Sequence, residues 1–139
     1  PTRDGPQEAL MFVSVWDWQM EIDDALVAEN PDEIREQVDE YVAGERDTFD
    51  LSVTYPDSFT GRVMAAMADV PRGETRTYGD IAAVLGTAPI AVGQACGRNP
   101  VPLVVPCHRI VGADGLGGFS GGKENRLGLK ERLLSLESR

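Results

Sequence analysis

The sequence predicts an α+β protein: a short strand-and-helix segment over residues 1–55, then a mostly helical region with a helix-turn-helix over residues 56–139. Three observations carry this. ALMFVSVWDWQMEI (9–22) is rich in β-branched and aromatic residues. TYGDIAAVLG (77–86) and PIAVGQACG (89–97) are two short helical stretches parted by a break at a glycine, which suits helix-turn-helix geometry. The end of the chain returns to an apolar repeat at helical spacing. With 139 residues, 26% of them charged and 42% hydrophobic, the chain fits one compact domain or a domain with a small appendage. No apolar run approaches the roughly 20 residues of a membrane span, and no basic-then-apolar signal opens the chain. Its two cysteines, Cys96 and Cys107, make no disulfide framework. The expectation is a cytoplasmic protein with no membrane association.

Taken in order, residues 1–8 read as a polar start. Phe12, Val13, Val15, Trp16 and Trp18 predict one or two strands within 9–22. Asn30 and Pro31 open a helix: the first is a good cap, the second suits the first turn, and Asp32 and Glu33 follow. Ile34, Val38, Tyr41 and Val42 recur at helical spacing, and Gly44 stops the helix. LSVTY (51–55) reads as a short strand or an extended linker ended by Pro56. FTGRVMAAMADV predicts a helix from Phe59, closed by Pro71, Arg72 and Gly73. From Asp114 to Gly122 five of nine residues are glycine, a loop. The last amphipathic helix is expected from Glu124 to Glu137, with Leu127, Lys130, Leu133, Leu134 and Glu137 at its spacing.

Charge is divided unevenly. Residues 1–50 hold 15 acids and 3 bases, net −12, while residues 51–139 hold 8 acids and 10 bases, net +2. The overall −10 argues against a nucleic-acid binder, but its distribution leaves the second region free to be one. Only Lys123 and Lys130 among the 13 bases are lysines. An acid-rich, lysine-poor surface fits a protein kept soluble in concentrated salt, and the expectation is a halophile.

The chemistry concentrates in VVPCHRIV (104–111), where the sole histidine, His108, follows Cys107 inside an apolar run. A buried thiol beside a tolerated imidazole is the bland account. The other is a nucleophile beside its base, since a thiol becomes useful at neutral pH when its proton is removed. Neighbours in an extended segment point to opposite faces, so a Cys-His contact there needs a turn or a bridging water. A working base also wants a carboxylate to fix its tautomer. Spacing alone cannot select that group from 23 acids. A metal site on Cys96, Cys107 and His108 is a poor zinc set, and none is expected.

NPVPLVVPCHRIVGADGLGGFSGG, followed by KERLLSLE, closely resembles the active-site segment and closing helix of the O6-alkylguanine-DNA alkyltransferases, the methylated-DNA–protein-cysteine methyltransferases. The resemblance runs back through VPRGETRTYGDIAAVLG and AVGQACGRNP. It implies a winged-helix-like alkyltransferase domain and direct-reversal repair without cofactor or metal. In that chemistry Cys107 takes the alkyl group from O6-alkylguanine, and possible O4-alkylthymine, once per molecule. It further implies His108 as water-linked base, Glu137 as the carboxylate orienting it, and Asn99 as the hinge asparagine. Tyr78 matches the tyrosine at guanine N3, while Ser120, Phe119 and the backbone at Cys107 and Ile110 match groups around the flipped base. The base must leave the stack to react. The implied partner is double-stranded DNA carrying alkylated guanine, bound by a monomer. Ile90, Ala91, Gly93, Arg98 and Arg109 fall at DNA-contacting positions. Small residues at Ala91, Gly93 and Ala95 also suit a helix lying in a minor groove about 6 Å wide.

This chain departs from the family pattern in places. APIAV puts Ile90 where the family carries an arginine finger, and the stretch between Tyr78 and that helix is slightly short. Phe119 replaces a tyrosine, the closing helix gains about one turn after Gly122, and the amino-terminal region is shortened. The alternative reading is an alkyltransferase-like lesion binder with weak or no transfer. Retention of Cys107 speaks against it, whereas Ile90 leaves room for it.

Overall fold

The computed structural model describes residues 10–113 and 127–139. The chain divides into two compact units, Pro1–Thr54 and Tyr55–Arg139. In the first, strands β1 (Leu10–Val15) and β2 (Trp18–Asp23) form an antiparallel hairpin with Val15 opposite Trp18 and Leu10 opposite Asp23. Alternation sends Met11, Val13, Val15, Met20 and Ile22 to one buried face. Helix α1 (Pro31–Val42) presents Ile34, Val38 and Tyr41 to the same core. Its start is the one the sequence signals, for the Asn30 side chain accepts from the Glu33 N–H. Gln37 then clamps the returning chain, accepting from the Asp50 N–H at 2.8 Å and donating to the Asp50 carbonyl at 3.1 Å. Residues 51–55 are extended. Val53 bridges to Val27, and the Thr54 N–H donates to the Leu26 carbonyl.

The second unit is built from α2 (Phe59–Ala68), β3 (Arg76–Thr77), α3 (Tyr78–Leu85), α4 (Pro89–Gly97), β4 (Ile110–Val111) and α5 (Leu127–Glu137). Local chemistry explains the helix starts. Ser58 accepts from the Gly61 N–H, Pro89 occupies the first turn of α4, and Thr77 and Asp80 exchange backbone bonds in a reciprocal box. Gly86 ends α3 at φ 67, a left-handed conformation that glycine adopts without penalty. The chain then turns so that α3 and α4 meet at 106°, within the helix-turn-helix range. Val63, Met64, Met67, Ile81, Val92, Val101, Leu103, Val105, Ile110, Leu129 and Leu133 form the core beneath them. Each such side chain contributes roughly 1.5–3 kcal/mol by leaving water. Among the described residues no single helix is long and apolar enough to cross a membrane.

Among the described residues, the mixture of five α-helices and two small sheets is the α+β architecture expected. The described part of the last helix begins at Leu127, so its expected first turn lies outside the described residues, as does the glycine-rich loop. One expectation needs correction. Ala95 is fully buried, packed inward from α4 rather than turned toward a groove.

Candidate functional site

The segment ahead of Cys107 is fastened by Asn99, which lies buried just after α4. Its side-chain amide donates to the Val105 carbonyl at 2.9 Å, and its oxygen accepts from the Val101 N–H at 3.0 Å. Between these two points Leu103 is held at φ 72, a left-handed conformation costing a non-glycine residue about 1–2 kcal/mol. Asn99 bonds on both sides of that bend and holds it.

Cys107, His108 and Arg109 form a single 3-10 turn, so the CHR triplet is not extended. The turn is the local feature that a Cys-His arrangement requires. His108 is fully buried, and its Nε2 lies 2.6 Å from Glu137 Oε2. A carboxylate at that distance assigns the ring proton to Nε2, which donates to it. Nδ1 is then the lone-pair nitrogen, and it has no hydrogen-bond partner among the described residues. Burial lowers the His108 pKa, while its hydrogen bond to Glu137 and the Glu137 charge oppose that shift. At neutral pH the ring is therefore neutral and able to accept a proton.

Glu137 is itself buried and serves two partners. Arg109 donates to it through Nε at 2.9 Å and Nη2 at 3.0 Å, and through Nη1 to the Val70 carbonyl at 2.8 Å. This bidentate geometry compensates a carboxylate withdrawn from water. Arg109, expected to contact DNA, thus directs its guanidinium inward, with 12% of its side chain exposed.

On the other side stands Tyr78, the first residue of α3. The β3–β4 pairing places Arg76 beside Ile110 and Thr77 beside Val111, so α3 starts next to the segment that follows the CHR turn. Burial, then the fields of Cys96 and Cys107, raise the Tyr78 pKa to about 12, so its hydroxyl keeps its proton. Cys96 is a second buried thiol, 3.4 Å from the Met67 sulfur. Burial first, then the Cys107 charge, push its pKa to about 12, which leaves it an inert thiol.

The matching family model is described as 6-O-methylguanine DNA methyltransferase, DNA binding domain, and it spans residues 58–139. A methylated-DNA–protein-cysteine methyltransferase of Methanosarcina acetivorans is 41% identical over 142 residues, covering 96% of this chain and 88% of the relative. One from Archaeoglobus fulgidus is 43% identical over 110 residues, 76% of this chain and 74% of the relative. This chain belongs to the methylated-DNA–protein-cysteine methyltransferase family. Solved structures agree. An O6-methylguanine DNA methyltransferase from Methanococcus jannaschii is 30% identical with a TM-score of 0.59, over 97% of this chain and 92% of that one. Mycobacterium tuberculosis OGT in complex with DNA is 41% identical with a TM-score of 0.68, over 77% of this chain and 66% of that one.

Among the residues singled out by resemblance to the methylated-DNA–protein-cysteine methyltransferases, Cys107, His108, Glu137, Asn99 and Tyr78 all lie in the second unit, in the elements described above. Ser120 and Phe119 lie outside the described residues. The Ile110 N–H donates to the Cys107 carbonyl and the Cys107 N–H to the Val105 carbonyl, so both donors are engaged. What this backbone offers a base is carbonyl lone pairs. On α4, Ile90 is 73% exposed, Ala91 and Gly93 are half-buried, and Arg98 is exposed at the helix end. A Cβ on Gly93 would lie 4.0 Å from Tyr78 Cδ1, ordinary contact, so this glycine faces the Tyr78 ring.

Sequence reasoning passed over Lys130, assigning it only to the helical repeat. It is fully buried, donates from Nζ to the Ile110 carbonyl at 2.7 Å, and stands 5.8 Å from the Tyr78 ring centroid. The available signal was its spacing: seven residues before Glu137, two turns along the same helix face.

Proposed function

We propose that this protein repairs alkylated DNA by moving the alkyl group of O6-alkylguanine, and of O4-alkylthymine, onto Cys107 in a single turnover. The observation that carries the reading is the buried His108–Glu137 contact of 2.6 Å beside Cys107, in a chain of this family. His108 Nδ1, through a water, takes the thiol proton, and Glu137 supports the imidazolium that results. The thiolate attacks the alkyl carbon in line. An S–C bond forms as the C–O6 bond breaks, and that electron pair stays on guanine. Tyr78, whose hydroxyl remains protonated, donates at N3 of the leaving base and is reprotonated, so that the thiol proton ends on guanine. The products are a thioether and unmodified guanine. Neither a metal nor an organic cofactor enters these steps.

The target base is reached by flipping it out of double-stranded DNA, with α4 in the minor groove. Ile90, Ala91, Gly93 and Arg98 supply the contact surface, while Ile110, Ser120 and Phe119 border the base. Residues 56–139 form the DNA-binding and alkyl-acceptor domain, and residues 1–55 form an acidic scaffold. The protein works as a monomer in the cytoplasm.

Incubation with duplex DNA containing O6-methylguanine, followed by intact-mass measurement, tests the reading. One methyl group should appear on Cys107, and Cys107→Ala should bind the same DNA without taking label. Label on Cys96, or lesion loss with Cys107→Ala, would overturn it. DNA binding by the wild type without any mass change would instead identify a lesion binder.

A further inference from the structure

Lys130 is a lysine amine buried completely within a repair domain. Burial of an ammonium is costly unless something in the interior favours the charge. Three elements meet it. From β4 comes the Ile110 carbonyl at 2.7 Å, and from α3 the face of the Tyr78 ring at 5.8 Å. The third is the 3-10 turn, against which α5 packs; an anion at Cys107 there, or at Cys96 on α4, favours the ammonium. His108 also feels the Lys130 charge. The titratable groups facing the amine are therefore Tyr78, Cys96, Cys107 and His108. Tyr78 and Cys96 are held in their neutral forms, since both are raised to about 12. Burial keeps His108 neutral as well, which leaves Cys107, in the turn that α5 packs against, as the group free to ionise beside Lys130.

We infer that Lys130 is a positioning residue of the alkyl-transfer site: its ammonium anchors the Ile110 carbonyl against the Tyr78 ring and stabilises the Cys107 thiolate before substrate arrives. The inference rests on the alkyl-acceptor reading of Cys107 and adds a second charged residue of α5 to it. Glu137 acts from the helix end on His108, while Lys130 acts two turns earlier on the carbonyl that follows the turn. One helix face thus supports both sides of the CHR segment. Burial lowers the Lys130 pKa to about 8, and the Cys107 anion counteracts that fall. The coupling is mutual, because a thiolate that favours the ammonium is favoured by it to the same extent.

The test uses Lys130→Met, which removes charge and tether, and Lys130→Gln, which keeps a hydrogen-bond donor without charge. Cys107 alkylation by iodoacetamide is followed by intact mass from about pH 5 to pH 9, where the thiolate fraction sets the rate. Both variants should shift the pH midpoint upward by about one unit, which is about a tenfold slower reaction below the midpoint. Folded variants that keep the wild-type midpoint would overturn the inference. A reciprocal measurement needs no change at Lys130. In lysine-labelled protein, with Lys123 and Lys130 alone to resolve, the Lys130 resonance should titrate at about 8. Its midpoint should fall in Cys107→Ala, and an unchanged midpoint would overturn the inference. The two failures are separable: shifted midpoints without methyl transfer from O6-methylguanine DNA uphold Lys130's effect on the thiol and remove the repair reading.

Discussion

At the scale of single residues, Glu137 carries two duties whose consequences differ. It receives the His108 Nε2–H, and it neutralises Arg109 in a buried site. Glu137→Gln keeps the shape and removes the charge. Methyl transfer should slow by about 10–100-fold, a part of what a supported general base contributes, with DNA affinity nearly unchanged. The same substitution leaves Arg109 facing a neutral amide, so unfolding free energy should fall by about 3 kcal/mol. Single-turnover kinetics and thermal denaturation read the two effects separately. A large loss of DNA affinity with a normal transfer rate would contradict this assignment. His108 adds a pH dependence with a defined sign. Its folded pKa is lowered below 6.5, so the unfolded chain binds the proton first as pH falls. The stability it contributes is present above pH 6.5 and is lost on acidification below it. The acid-side slope should flatten in His108→Ala. Ile90, 73% exposed on α4, is the residue that the resemblance sets at the arginine-finger position. An apolar side chain can wedge between base steps, whereas a charged one adds attraction that salt weakens. Ile90→Ala should therefore transfer more slowly from duplex DNA at low and at molar salt. Ile90→Arg should gain its advantage chiefly at low salt. Equality of Ile90→Ala with wild type would show that Ile90 is no wedge.

At the scale of elements, the position of α2 depends on one close approach. A Cβ added to Gly61 would fall 1.8 Å from the Pro56 carbonyl oxygen, a backbone atom with little room to yield. Gly61 also donates its N–H to the Ser58 cap. Gly61→Ala should thus cost about 3 kcal/mol as an overpacked contact, despite alanine's better helix propensity. Chemical denaturation of the two proteins measures the difference, and a neutral or stabilising effect would show that the Pro56 turn relaxes freely. The CHR turn is a different kind of element. It is short, so its geometry is imposed from outside by Asn99 and the Leu103 bend before it and by α5 against it. Helices α3 and α4 need less help, since the Thr77–Asp80 box and the Pro89 start act within a few residues.

For the whole molecule, the unequal charge matters most. Residues 1–50 carry net −12, and their compact state is opposed by self-repulsion that counterions relieve. The Debye length shortens from about 10 Å at 0.1 M salt to about 3 Å at 1 M. Thermal midpoints should rise steeply with chloride over this range, and a flat midpoint would remove the halophile expectation. The same salt weakens phosphate attraction to residues 51–139, whose net charge is only +2. DNA affinity and folding stability should therefore respond to salt in opposite directions.

The amino-acid sequence by itself determined what depends on near neighbours. Asn30, Ser58 and the Thr77–Asp80 pair cap helices through contacts spanning three residues, so the starts of α1, α2 and α3 were legible. PCHR with its flanks identified the family resemblance and the candidate thiol. The hairpin was less distinct, since apolar and aromatic residues filled 9–22 and did not mark the turn at Trp16. Tertiary structure decided the contacts between distant positions. It placed Glu137 on His108 across 29 residues, turned Arg109 inward to Val70 across 39, and brought Lys130 to Ile110 across 20. It also buried Ala95, which the family resemblance had set among the groove-facing small residues. The physical reason is common to all four. Capping and periodicity are encoded by groups within one helical turn, whereas the partner of a buried charge depends on which faces the packed core brings together.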